Sequence, residues 1–174
     1  YDSADYSTAQ LLFTRAIRLN KTNKITAKSL FWRGQALFEL GSFSAAQKSY
    51  DEYYKNINKN NFKLNKNFWY EIGYSYFKLG NYELAIDCFK KQIEKINKMN
   101  SSYSLDTYLR LADSYFANSN YWAALENYNV SITMSDDNLS YAKFQKALSY
   151  GFIQKFESKI DVLIALTNND QHTF

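Results

Sequence analysis

The sequence predicts an all-α fold, and three observations support this prediction. The 174 residues include no proline and only 5 glycines, so little in the composition interrupts a helix. Aromatic residues make up 18% of the chain, which indicates a folded protein because disordered segments are poor in them. A pattern of small and aromatic residues also recurs every 39 positions. The chain is therefore expected to consist of repeated helical units.

The first part of each repeat places a small residue between two large residues. The small residues Gly34, Gly73 and Ala112 lie 39 positions apart, and Ala147 occupies the same place in a fourth copy. Because the flanking large residues lie three or four positions away, all three side chains share one face of a helix. Two or three polar or glycine residues follow, as in Leu79-Gly80-Asn81, and predict that this helix ends in a left-handed turn.

The second part of each repeat predicts another helix with its own small contact residue. It opens with an aromatic residue, followed by an alanine three positions later and an aromatic residue four positions beyond, as in Phe43, Ala46 and Tyr50. The small residues let the two helices approach closely, and the aromatic rings fill the space beside the contact. We expect leucine at Gly73 or Ala85 to overpack this crossing by ~1–3 kcal/mol.

This pattern resembles the tetratricopeptide repeat family over essentially the whole chain. Its most complete copy consists of Trp69, Ile72-Gly73, Tyr76, Gly80, Tyr82, Ala85 and Phe89. The resemblance implies a right-handed superhelical solenoid of antiparallel helix pairs. The spacing exceeds the family's period of about 34 residues, the proline near each repeat's end is absent, and Lys159 replaces the expected alanine in the last copy. These departures bear on superhelical pitch and on the packing of the last pair.

The resemblance also implies how the chain divides. We expect residues 1–174 to form a single array, in which 1–20 is the second helix of a truncated repeat. The repeats that follow are expected at 25–60, 65–99, 103–136 and 138–170. The sequence is accordingly expected to begin halfway through a repeat.

Residues able to carry catalytic or metal chemistry are scarce. Cys88 is the only cysteine, which excludes an internal disulfide or a cluster of thiolate ligands, and we expect it to be buried as a small hydrophobic residue. His172 is the only histidine and lies in a polar stretch, so neither a zinc site nor a Ser-His-Asp triad can form within the chain. The paired acidic residues at 51–52 and 136–137 are expected to be structural. No glycine-rich phosphate motif occurs. We expect no enzyme activity, cofactor or metal in this segment.

Charge and hydropathy bear on whether the chain binds nucleic acid or spans a membrane. The net charge is +4, but the lysines are dispersed among acidic residues, which does not favour nucleic-acid binding. No apolar run approaches the ~20 residues that a membrane-spanning helix needs. The chain is similar to segments of long bacterial envelope solenoids of the tetratricopeptide repeat family. This resemblance suggests the bacterial periplasm or cell envelope as the compartment.

The resemblance further implies that the first helices of successive repeats line a concave groove that binds a partner. The predicted groove residues are Phe31, Gln35, Phe38, Tyr70, Tyr74, Phe77, Lys78, Asp106, Arg110, Asp113, Phe116, Tyr141 and Phe144. Aromatic side chains dominate this set, and such residues are frequent anchors in interfaces. Chaperone-binding members hold a peptide carboxylate with lysine, asparagine and arginine, and only Arg110 fits such a clamp. A hydrophobic or mixed peptide segment, or a folded protein, is therefore the expected partner.

Alternatives remain open at this point. The chain is interpreted either as an interaction scaffold or as a non-catalytic docking or regulatory module of a larger enzyme or envelope assembly protein. Self-association through the ends of the array is a further alternative. An aromatic stripe at helical spacing can also be core rather than binding site, and we assign Trp69, Tyr76 and Tyr115 to packing.

Overall fold

The computed structural model describes residues 3–19, 23–96, 104–134 and 139–170, and within these ranges it contains helices and turns but no strands. The helices are α1 Ser3–Leu19, α2 Asn23–Glu39, α3 Phe43–Asn60, α4 Phe68–Lys78, α5 Tyr82–Ile96, α6 Ser104–Ala117, α7 Tyr121–Thr133, α8 Ser140–Phe152 and α9 Phe156–Asp170. The predicted all-α fold class is confirmed.

The chain divides into two units, Tyr1–Cys88 and Phe89–Phe174, and the boundary falls within α5. In the first unit, α2 packs against α1 and α3, and α3 packs against α4. In the second unit, α6 packs against α7, α7 against α8, and α8 against α9. Helices that are consecutive in the sequence therefore provide most of the packing inside each unit.

The predicted left-handed turn is present where the sequence places glycine. Gly41 and Gly80 have φ angles of 72° and 75°, a region that glycine enters without a steric penalty. At the end of α2, the N–H of Ser42 donates to the carbonyl of Leu37 at 2.9 Å, and the N–H of Gly41 donates to Phe38 at 2.8 Å. This pair of bonds is the Schellman motif, which satisfies carbonyls left over at a helix end.

The same turn also forms without glycine. Ser119 follows α6 with a φ of 60°, and Gln154 follows α8 with a φ of 61°. The N–H of Asn120 donates to the carbonyl of Tyr115 at 2.9 Å, which repeats the bond seen after α2. Since side chains disfavour this backbone region, both turns form at a local cost in free energy.

A close contact between α2 and α3 explains the small residue in the first complete repeat. A Cβ atom added at Gly34 would lie 2.6 Å from Cε1 of Tyr50. Tyr50 is fully buried, with its ring centroid 5.8 Å from that of Phe31 and 6.3 Å from that of Phe68. The α2–α3 crossing therefore depends on glycine at position 34.

The second unit uses alanine at the corresponding contact. Ala112 on α6 and Ala124 on α7 are fully buried beside Tyr128. In the last pair Lys159 stands where alanine is expected, and its side chain lies over Gly151, where an added Cβ would be 3.3 Å from Cδ of the lysine. Earlier repeats carry phenylalanine at the position of Gly151, so this glycine makes room for the longer side chain.

Several further expectations are met within the described residues. Cys88 is buried in the first unit's core, and Trp69 and Tyr76 pack against that core. Tyr115 packs against the core of the second unit. His172 and the acidic pair at 136–137 lie outside the described residues. The repeat limits stay a prediction, as does the overpacking expected at Gly73 and Ala85.

Candidate functional site

Four of the predicted groove residues in the first unit form one aromatic surface. We call Phe38, Tyr70, Tyr74 and Phe77 the first-unit aromatic surface. The ring centroid of Tyr74 lies 5.1 Å from that of Phe38, 6.1 Å from Tyr70 and 6.2 Å from Phe77. All four side chains are half-buried, so each ring is supported from below and open to solvent on part of its surface.

The helix register brings these rings together. Positions 70, 74 and 77 fall on one face of α4, because residues three and four apart are neighbours on a helix. The rings at both ends rest on aromatic residues that open the second helix of each pair. Phe38 lies 5.1 Å from Phe43, and Phe77 lies 5.6 Å from Tyr82. These contacts restrict the rings before any partner arrives.

A lysine lies over the middle of this surface. Nζ of Lys78 is 5.3 Å from the ring centroid of Tyr74, within the range of cation–π attraction. The lysine itself is exposed. The ring of Tyr74 thus accommodates an ammonium group.

Two carboxylates lie beside the same surface. The side-chain amide of Gln35 donates to Oε1 of Glu39 at 3.4 Å, hydrogen-bonds the carboxyl of Glu71, and accepts a 3.3 Å bond from the hydroxyl of Tyr50. Burial raises the pKa of Glu71 to about 7, repulsion from Glu39 adds to the rise, and the Gln35 hydrogen bond opposes it. Glu71 is therefore poised to change charge near neutral pH.

Phe31 requires a correction, because the structure buries it. The side chain is only 4% exposed. Its ring lies 5.4 Å from Trp32, 5.8 Å from Tyr50 and 5.4 Å from Tyr53. The expectation that Phe31 faces a partner is wrong, since α3 already covers the ring.

In the second unit, the predicted site residues converge on a buried carboxylate. Asp113 is 6% exposed, and its Oδ1 accepts hydrogen bonds from the hydroxyls of Tyr128 at 2.8 Å and Tyr141 at 2.9 Å. Nη1 of Arg110 donates to Oδ2 at 3.0 Å, and Nη2 donates to Asp106 at 3.3 Å. Burial raises the pKa of the Asp113 carboxyl, whereas the tyrosine hydroxyls and Arg110 oppose the rise. Because its oxygens are engaged internally, we reassign Asp113 from partner contact to positioning Tyr141.

The remaining predicted residues of the second unit are more accessible. Tyr141 is 50% exposed and Phe144 is 48% exposed on α8. Phe116 on α6 is half-buried, with its ring 5.4 Å from Tyr121 and 5.6 Å from Phe152. Of these residues, Tyr141 and Phe144 offer the largest exposed areas to a partner.

Sequence reasoning missed Glu39 and Glu71. Glu39 occupies the same repeat position as Lys78, 39 residues earlier, so the repeat period could have identified it. Glu71 follows Tyr70 directly, but its proximity to Gln35 depends on how α4 lies against the preceding pair. No pattern in the sequence reports that arrangement.

The part of the chain that the structure describes contains no group of three or more histidine, cysteine, aspartate or glutamate side chains suited to hold a metal ion. Among the same residues, no helix combines the length and apolar character needed to cross a bilayer.

Solved structures with a similar fold are tetratricopeptide repeat proteins. MamA aligns with a TM-score of 0.79 and 15% identity, covering 97% of this chain and 91% of MamA. TPR-like repeats of a Podosopora anserina kinesin light chain align with a TM-score of 0.76 and 13% identity, covering 97% of this chain and 86% of that chain. YrrB, described as a TPR protein with an unusual peptide-binding site, aligns with a TM-score of 0.77 and 13% identity, covering 95% of this chain and 78% of YrrB. At these identities the likeness establishes the fold alone.

Comparison of the sequence with protein-family models identifies its family. A search of curated proteins found no significant match. Two models described as tetratricopeptide repeat match residues 1–61 and 67–137, which together make up well over half of the chain. The repeat pattern, the helix pairs and these matches agree, and the chain belongs to the tetratricopeptide repeat family.

Proposed function

We propose that this chain is a scaffold for protein–protein interaction that binds a peptide segment of its partner on the first-unit aromatic surface. The observation that carries the proposal is the set of four half-buried rings in mutual contact around Tyr74. Contiguous exposed apolar surface on a folded protein often marks an interaction site.

The chemistry of this surface favours an apolar or mixed peptide segment. Tyrosine and phenylalanine rings bury a large area and have few rotatable bonds, so ordering them costs little entropy. The supporting contacts to Phe43 and Tyr82 reduce that cost further. Gln35, Tyr70 and Tyr74 stand at places where a carboxylate clamp carries lysine or asparagine, which argues against a partner held by its C-terminal carboxylate.

The family provides a precedent of the same kind. YrrB, which shares the fold, is described as having a peptide-binding site. We propose that this segment likewise contributes binding and performs no catalytic step, in keeping with the non-catalytic scaffold role typical of tetratricopeptide repeats. This role holds whether the chain acts alone or as the docking module of a larger protein.

A peptide-binding experiment tests the proposal. Peptides are selected from a displayed random library on the purified chain, and the best binder is synthesised and titrated by fluorescence anisotropy. We expect Tyr70→Ala/Tyr74→Ala to weaken binding about 30-fold or more, since truncating an aromatic anchor commonly costs ~2 kcal/mol or more.

The matched control removes two exposed aromatic residues elsewhere. Trp32 is 50% exposed and Trp122 is 57% exposed, so Trp32→Ala/Trp122→Ala should bind like wild type. Circular dichroism establishes that each variant remains helical. A folded Tyr70→Ala/Tyr74→Ala variant with wild-type affinity would rule out this surface as the binding site.

Self-association is a second candidate function, and α9 provides the observation that favours it. Phe156, Ile160 and Ile164 are each more than half exposed and follow one another at intervals of four residues, so they share one helix face. Sedimentation velocity over a range of concentrations tests the idea. A dimer that dissociates on Ile160→Ser/Ile164→Ser substitution supports it, and a monomer at the highest concentration refutes it.

A further inference from the structure

The first-unit aromatic surface carries a local charge that differs from that of the whole chain. The chain has a net charge of +4. The charged side chains tied to this surface nevertheless include two acidic residues. Gln35 connects Glu39 and Glu71, while Lys78 lies over Tyr74. With both carboxyls ionised, Glu39 and Glu71 together carry more charge than the opposing ammonium group of Lys78.

The environment of Glu71 makes its negative charge costly in the free chain. Glu39 approaches from α2 and repels the carboxylate, and the hydroxyl of Tyr50 on α3 is held by the same Gln35. Lys78 lies on α4 two turns farther along, where its ammonium group faces the Tyr74 ring. A cation entering near Gln35 would offset the repulsion between the two glutamates.

The position of Lys78 indicates, independently of the two glutamates, that the surface accepts a cation. Its ammonium group lies 5.3 Å from the centroid of Tyr74, and its side chain is exposed. An exposed lysine can move into solvent at little cost, so a cation from another molecule can take its place at the Tyr74 ring. The surface thus joins an aromatic face suited to an ammonium or guanidinium group with nearby carboxylates of opposite charge.

We propose that this surface binds a partner segment that carries a lysine or arginine next to an apolar residue. The cation is held by Glu39 and Glu71, and its aliphatic stem lies along the Tyr74 ring. The neighbouring apolar residue packs on Phe38 or Phe77. This inference rests on the proposed function, because it names the chemistry of the segment bound at the same surface.

An acidic segment is disfavoured by the same geometry. Its carboxylates would approach the two glutamates that Gln35 connects, and the Lys78 ammonium over Tyr74 carries one positive charge against them. Like charges brought together in an interface weaken binding and exclude wrong partners. Charge complementarity therefore favours a basic segment over an acidic one.

Library selection with matched variants tests this inference. A displayed random-peptide library is selected separately on wild type, on Glu39→Gln/Glu71→Gln, and on Glu94→Gln/Glu126→Gln. The last variant removes two exposed acidic residues at other places and so matches the change in net charge. We expect lysine or arginine beside an apolar residue to be enriched on wild type and on the control variant, and not on Glu39→Gln/Glu71→Gln.

Titrations with synthetic peptides provide a second readout. The selected peptide is compared with a version in which norleucine, a neutral analogue of similar shape, replaces the basic residue. Glu39→Gln/Glu71→Gln should weaken the basic peptide about fivefold or more and leave the norleucine peptide unchanged. In wild type, affinity for the basic peptide should rise from pH 6 to pH 8 as Glu71 ionises, and Glu71→Gln should abolish this rise.

The outcomes separate this inference from the proposed function. If the selected peptides are uncharged or acidic but lose affinity for Tyr70→Ala/Tyr74→Ala, the basic-partner inference is overturned and the peptide-binding surface stands. If no peptide is selected, or the selected peptides bind Tyr70→Ala/Tyr74→Ala with wild-type affinity, both proposals are overturned. Basic peptides whose affinity depends on Glu39 and Glu71 support both.

Discussion

Replacing Gly34 by alanine should destabilise the chain, although alanine is the better helix former. A Cβ at position 34 would lie 2.6, 2.8 and 3.0 Å from three ring atoms of Tyr50. That ring cannot withdraw easily, because it is fully buried between Phe31 and Phe68 and its hydroxyl donates to Gln35. The added methyl group must therefore push α2 and α3 apart or displace the ring.

The magnitude follows from two opposing effects. Alanine in place of glycine in a helix interior gains ~0.5–1 kcal/mol. Overpacking a closely packed core costs ~1–3 kcal/mol. The net expectation for Gly34→Ala is a loss of ~1–2 kcal/mol, which lowers the unfolding midpoint by roughly 2–8 °C in a chain of this length.

Gly151 provides the matched control within the same chain. A Cβ there would meet the flexible side chain of Lys159 at 3.3 Å, and this side chain can move aside. Gly151→Ala should therefore be neutral or stabilising by up to ~1 kcal/mol. Thermal unfolding followed by circular dichroism measures both variants. An unfolding midpoint for Gly34→Ala at or above that of wild type would refute the packing argument.

Three further predictions concern buried polar groups and turns. Because burial raises the pKa of Glu71 from 4.5 to about 7, its bound proton stabilises the folded chain fully below pH 4.5, and this contribution is lost as the pH rises through 7. Urea unfolding should thus find Glu71→Gln stabilised relative to wild type by ~1–3 kcal/mol at pH 8 and by much less at pH 5; an equal difference at both pH values would contradict this. Tyr128→Phe removes a hydrogen bond to the buried Asp113 and should cost ~1–3 kcal/mol in urea unfolding, whereas Tyr141→Phe should cost less because Tyr141 is 50% exposed and Tyr128 is fully buried. Equal costs would contradict the expected effect of this difference in burial. Ser119→Gly should raise the unfolding midpoint by the equivalent of ~0.5–1 kcal/mol, because Ser119 has a φ of 60°; a lower midpoint would contradict it.

The parts of the fold that follow from local spacing could be predicted from the sequence. The left-handed turns at Gly41 and Gly80 depend on residues within one helix end, and the structure contains them. The close contact of Gly34 with Tyr50 depends on two neighbouring helices whose spacing recurs in each repeat. Periodicity reports such features because every copy repeats the same short-range contact.

The burial and the pKa of individual site residues could not be predicted from the repeat pattern. Phe31 and Tyr70 occupy the same place in the repeat, yet Phe31 is buried under α3 whereas Tyr70 is half-exposed. The repeat pattern identifies the helix face but not what covers it. The raised pKa of Glu71 likewise depends on Glu39 and Gln35 of the preceding pair, and this contact between repeats leaves no pattern in the sequence.

The most direct test of the central claim is to map the bound peptide on the chain by NMR. The selected peptide is added to the isotopically labelled full chain, and backbone amide shifts are followed by residue. The account predicts that the largest changes fall on Gln35–Glu39 of α2 and Tyr70–Lys78 of α4, the two segments that form the first-unit aromatic surface. Changes concentrated on other helices, with these two segments unaffected, would contradict it.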